Sequence, residues 1–119
     1  MCHVPTEMQE PLGFPIQNRQ MAYYSNMGYI TAASTAHLQV EKVLIMVHGS
    51  ARNAADYFCA ALSMLNEENS MNNTLVIAPL FASPDDGPLI DGGMLVWVDH
   101  DEKYPIGHTW RYGANALNA

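Results

Sequence analysis

The sequence predicts an α/β fold, with a parallel or mixed sheet built around a βαβ unit at about residues 42–81. Three segments carry that expectation. Val43-Leu44-Ile45-Met46-Val47 is apolar at every position, the pattern of a strand covered on both faces in a parallel sheet. Residues 54–66 then set Tyr57, Phe58, Ala61, Leu62, Met64 and Leu65 at helical spacing, which gives a broad apolar face. Thr74-Leu75-Val76-Ile77-Ala78-Pro79-Leu80-Phe81 is a second apolar run, read as a strand that Pro79 ends.

In chain order, residues 1–20 read as an irregular lead-in, because Pro5, Pro11, Gly13 and Pro15 interrupt any helix or central strand. Met21-Ala22-Tyr23-Tyr24-Ser25 and Gly28-Tyr29-Ile30-Thr31 each have the aromatic and β-branched content of a short edge strand. Residues 32–39 favour neither helix nor strand. The strand at 43–47 stops at His48-Gly49-Ser50. Asn53 then has the character of a helix N-cap, and Asp56 suits the positive end of the helix dipole. A polar turn at 66–73 leads into the second strand. Residues 82–119 read as a long loop region, broken by Pro84-Asp85-Asp86-Gly87-Pro88 and Asp91-Gly92-Gly93. No internal repeat or low-complexity tract is present.

A length of 119 residues suits a single domain. The hydrophobic content of 49% is too high for a disordered chain, even with only 14% charged residues. The acidic excess, with a formal net charge of −7, argues against partners that are nucleic acids or anionic membranes. Cys2 and Cys59 are too few for a disulfide scaffold, and Cys59 is expected as a small buried thiol on the helix. The first residues offer neither a basic start nor an apolar run, so no secretory signal is expected. The apolar run at 43–47 is far too short to span a bilayer. A cytoplasmic location is therefore the default expectation. Asn72-Asn73-Thr74 forms a glycosylation sequon that matters only if the protein is exported.

Ligands of open parallel sheets bind beyond the carboxyl ends of the strands. His48-Gly49-Ser50-Ala51-Arg52-Asn53 lies at such an end and opens a helix, so its backbone N–H groups suit an anionic or oxyanionic ligand. Gly49 permits close approach of a substrate and an unusual backbone turn. With Val43-Leu44-Ile45-Met46-Val47-His48-Gly49, the helix start at Arg52-Asn53-Ala54 and Asp56-Tyr57-Phe58, and the strand Leu75-Val76-Ile77-Ala78-Pro79, the sequence resembles the α/β-hydrolase superfamily. In that family the third strand ends in His-Gly, and a backbone N–H just after the glycine helps build the oxyanion hole. Trp97 and Trp110-Arg111-Tyr112-Gly113 resemble the loop that precedes the nucleophile-bearing half in one branch. The resemblance covers about residues 40–113 and makes the chain the amino-terminal part of a single hydrolase-like domain.

The resemblance implies hydrolysis of an ester, amide or related carbonyl bond through an acyl-enzyme, with no cofactor and no metal. It makes Ser50 the oxyanion donor through its backbone N–H and leaves His48 to shape the loop. Arg52 holds the loop or pairs with Asp56, and Trp97 and Trp110 are candidates for the wall of a pocket holding a small-molecule or peptide carbonyl substrate. The family also needs a Gly-x-Ser-x-Gly nucleophile, then an acid, then a histidine. None of Ser25, Ser34, Ser50, Ser63, Ser70 and Ser83 has that setting. The chain is therefore expected to be inactive alone, and to be marginally stable or self-associating because the nucleophile strand belongs beside residues 43–47.

Plainer readings stand beside these. Gly49 serves equally as a simple strand-to-helix turn residue, with His48 a satisfied polar group. Ser50, His48 and Asp56 lie too close in sequence to aim at one another as a triad. Asp99-His100-Asp101-Glu102 with His108 offers metal-capable groups without a tight ligand spacing, so a solvated acidic loop is the simpler reading. The scattered methionines read as filler, and no phosphate-binding glycine pattern follows either strand. The alternative function is a non-catalytic α/β binding or interaction module.

Overall fold

The computed structural model describes residues 4, 8, 10–16, 18–30, 39–49, 51–83, 93–97, 110 and 116–117. Its strands are β1 (Leu12–Ile16), β2 (Arg19–Ser25), β3 (Lys42–Ile45) and β4 (Thr74–Leu80), with helix α1 (Ala54–Glu67) between β3 and β4. They form one mixed sheet in the order β1-β2-β4-β3. β1 and β2 are antiparallel, as are β2 and β4, whereas β3 and β4 are parallel, with Lys42 opposite Thr74 and Ile45 opposite Ile77. The β3-α1-β4 unit stands as expected. No helix among the described residues is long and apolar enough to cross a membrane.

The lead-in is not wholly irregular, because β1 lies inside it. Pro15 is tolerated there because β1 is an edge strand with a partner on one side only. Conversely, β2 is not an edge: it sits between β1 and β4. Residues 28–30 form no strand, since Gly28 turns the chain at φ +72°. The segment instead folds back, with the Ile30 N–H donating to Tyr23 Oη at 3.0 Å.

Pro79 does not end β4. Ile77 O accepts from Met46 N–H at 2.9 Å, so the odd positions of β4 face β3. Pro79 lies beyond the last β3 rung, and its missing N–H removes no ladder bond. Asn26 holds the other side of β4. Its amide accepts from Val76 N–H and donates to Thr74 O, both at 2.9 Å, as a strand residue would.

β3 is not covered on both faces as its apolar run predicts. It lies at the sheet edge, with Leu44 and Met46 packed toward α1 and Val43, Ile45 and Val47 exposed. Below α1, Phe58, Ala61, Leu62 and Leu65 pack on Val76 and Ala78. A neighbouring cluster joins Ala22, Ala54, Leu80, Ala82, Met94 and Val96. Tyr57 and Met64, counted on the apolar helix face, are exposed. Part of the expected 82–119 loop is bridged to the sheet: Met94 pairs with Gln20, and Val96 with Ala82.

The Asn53 side chain does not cap α1. It donates to Asp56 Oδ2 at 3.4 Å, and its backbone carbonyl receives the N–H groups of Asp56 and Tyr57. The helix ends in a Schellman motif, with Asn69 at φ +55° and Ser70 N–H donating to Leu65 O at 2.9 Å. Cys59 is buried on α1 and is disulfide-bonded, not the thiol expected from composition.

Candidate functional site

The carboxyl ends of β3 and β4 meet at His48. The odd-numbered Phe81 directs its N–H toward β3, where strand pairing has stopped, and that N–H donates to His48 Nε2 at 3.0 Å. His48 Nδ1 lies 2.7 Å from Gly49 O. An acceptor at Nε2 and a carbonyl at Nδ1 together assign the neutral Nδ1–H tautomer. The buried imidazole thus replaces the next rung of the ladder and pins the start of the 48–53 loop.

The turn itself differs from expectation. Gly49 is exposed and does not have a positive φ; the left-handed residue is Arg52, at φ +55°. Arg52 N–H closes the turn on Gly49 O at 3.0 Å. A β-carbon added at Gly49 would meet only Tyr57 Oη, at the ordinary distance of 3.6 Å. Gly49 therefore contributes open space above the loop, and the backbone turn is made elsewhere. Ser50, the proposed backbone donor, lies outside the described residues.

Of the two tryptophans singled out in the sequence, Trp110 meets His48 directly and Trp97 meets Phe81. Trp110 stacks on Phe81 with centroids 4.7 Å apart and an interplanar angle of 8°. His48 meets the Trp110 ring edge-on at 4.9 Å, and Phe81 meets Trp97 at 5.1 Å. Trp97 is buried, and its backbone N–H donates to Ala82 O at 2.8 Å, so it backs the cluster and does not line open space. Among the described residues Trp110 Nε1 is a buried donor with no hydrogen-bond partner, a cost of about 1–3 kcal/mol unless an acceptor arrives. Phe81, at the centre of the cluster, was read only as the last residue of an apolar run. Its role depends on contacts with residues 48, 97 and 110, which leave no local signal.

Arg111, Tyr112, Gly113, Asp99, His100, Asp101, Glu102 and His108 lie outside the described residues. Among the described residues no three His, Cys, Asp or Glu side chains converge as a metal site would require. A separate apolar pocket is lined by Val4, Met8, Tyr24, Ala55 and Phe58. Burial first, and the negative charge of Glu10 second, raise the Tyr24 pKa above its ordinary value of 10.0.

The described geometry can present a fixed backbone loop and one unsatisfied indole donor beside an aromatic wall. It contains no assembled nucleophile and base. No family model, no curated protein and no solved structure matches the chain.

Proposed function

We propose that the chain is the amino-terminal part of an α/β-hydrolase-like serine hydrolase that cleaves an ester, amide or related carbonyl bond when complete. One observation carries this reading. The His48–Gly49 loop closes the third strand of the chain, and among the described residues no strand pairs with the outer edge of that same strand. The resemblance asks for both features, since it puts the oxyanion loop after the third strand and the nucleophile strand beside it.

In this reading Ser50 donates its backbone N–H to the oxyanion, His48 holds the loop, and Gly49 leaves room for the carbonyl. Arg52 fixes the turn, while Trp110 and Phe81, backed by Trp97, form a wall. No cofactor takes part. The chain alone has no nucleophile and should not turn over. The test is the coding sequence that follows Ala119. A strand leading into Gly-x-Ser-x-Gly, then an acid and a histidine, supports the reading. An immediate stop codon, with the short protein found in cells, overturns it. Hydrolysis of a chromogenic short-chain ester by the 119-residue chain, lost in Ser50→Ala, would overturn the backbone role of Ser50.

A second reading, a non-catalytic α/β interaction module that pairs through β3, is favoured by the exposed Val43, Ile45 and Val47 on an unguarded strand edge. It expects concentration-dependent association in sedimentation velocity, suppressed by Ile45→Lys. A monomer at all concentrations would remove it.

A further inference from the structure

The turn that enters β4 carries Asn72-Asn73-Thr74, and only one of these three residues faces outward. Thr74 is buried at the start of the strand, with Oγ1 donating to Asn73 Oδ1 at 3.1 Å. Asn73 is committed on both sides: its carbonyl receives the N–H groups of Glu41 and Lys42, and its side-chain amide donates to Glu41 Oε2. Asn72 is exposed. An Asn-x-Thr sequon displayed this way has the geometry of an N-glycan acceptor, yet the motif means nothing in a reducing compartment.

Cys59 supplies the second, independent observation. It is disulfide-bonded, in a chain with two cysteines. Disulfides persist in the oxidising compartments of the secretory route and are rare in the cytosol. Those are also the compartments in which sequons are modified. The sequon lies in the turn before β4, whereas Cys59 lies on α1.

We propose that Asn72 is an N-glycosylation site and that the chain matures in an oxidising lumen, in place of the cytoplasmic default read from the sequence. The donor is a lipid-diphosphate-linked oligosaccharide. A bond forms between Asn72 Nδ2 and the anomeric carbon, and the carbon–oxygen bond to the diphosphate breaks. The lipid diphosphate leaves with the electron pair, and one amide proton passes to the transferase. Oxidation of the cysteines proceeds by exchange: two thiols become a disulfide while the disulfide of an oxidising partner is reduced to two thiols. Because Thr74 is buried in the finished sheet, transfer precedes the docking of β4.

The placement also spares the candidate site. β3 and β4 are parallel, and Asn72 lies at their amino ends, whereas His48 and Phe81 follow their carboxyl ends. A strand of seven residues separates the glycan from the loop by about 20 Å.

The test uses the protein isolated from the cells that make it. Treatment with a peptide N-glycosidase in heavy-oxygen water should lower its mass and leave a labelled aspartate at position 72. Alkylation should reach Cys59 only after reduction. The same cells expressing Asn72→Gln should yield protein that lacks the glycan mass, and this surface substitution leaves the buried Thr74 in place. An unmodified Asn72 peptide, or a glycan that persists in Asn72→Gln, overturns the glycosylation. A Cys59 that alkylates without reductant overturns the oxidising lumen.

Discussion

β3 and β4 run side by side in the same direction with similar apolar sequences, and they meet opposite fates. On β4, Val76 and Ala78 are 0% exposed; on β3, Val43 is 56% and Ile45 59% exposed. β4 has β2 on one side, β3 on the other and α1 over one face. Among the described residues β3 has only β4 and that one face of α1. An unbroken apolar run thus states what surroundings a strand requires, and in β3 the described chain supplies about half of them. The outer edge carries no charge between Lys42 and His48 to discourage pairing.

The largest test of this contrast truncates one side chain on each strand. Leu80→Ala on β4 removes a buried side chain from the cluster with Ala22 and Met94, and should cost about 2–5 kcal/mol in urea denaturation. Ile45→Ala on β3 should change stability by no more than about 0.5 kcal/mol. Comparable losses at the two sites would mean that β3 is covered in solution, and the contrast would fail.

His48→Ala comes next, because it strikes where the two strands are joined. It leaves Phe81 N–H without its acceptor, at a cost of about 1–3 kcal/mol. The Phe81 amide should exchange with deuterium faster while the amides of residues 74–78 keep their protection. His48→Gln, which retains an acceptor, should recover part of the loss. Unchanged exchange at Phe81 would remove the imidazole from the ladder.

These two tests also mark what the sequence can tell. The βαβ unit was legible because the helix has a 3.6-residue apolar period and both strands are apolar runs bounded by polar turns. β1 was hidden because Pro11, Gly13 and Pro15 are breakers in a central strand but tolerable on an edge, and edge position is a property of the whole sheet. The same holds for β3. His48 was legible at a strand end, and Trp97 and Trp110 as aromatic residues of the long loop region. Phe81 and Asn26 were not, because each acts through bonds to segments distant in the chain. The left-handed turn was placed on Gly49 by propensity and fell on Arg52. Nothing in the spacing around Cys59 marks it as disulfide-bonded.

A smaller effect comes from pH. Tyr24 lies opposite Ala78 of β4 and stacks on Phe58 at 5.7 Å. Burial, reinforced by Glu10, holds its proton more tightly in the fold than in the unfolded chain. The neutral phenol's contribution is therefore complete below the ordinary value of 10.0 and is lost as pH climbs through the raised folded value. Phenolate absorbance should show one tyrosine titrating late, and Tyr24→Phe should abolish that component and flatten the alkaline decline in stability. A late component that survives in Tyr24→Phe would assign it to another tyrosine.

Gly49→Ala should have the smallest effect on the fold and the most specific effect on the site. The added methyl meets only Tyr57 Oη at 3.6 Å, and the backbone there is not left-handed. Stability should therefore stay within about 0.5 kcal/mol of wild type. If the residue were conserving a strained turn, the substitution would be costly; that demand falls on Arg52. What the methyl does fill is the open space above the 48–53 loop, where the proposed reading seats a carbonyl. In the complete hydrolase Gly49→Ala should lower kcat/KM while leaving the urea midpoint unchanged, a split that a structural glycine cannot produce. Equal kcat/KM in the two proteins would mean that nothing approaches the loop at this point, and the oxyanion role of the β3 end would fall with it.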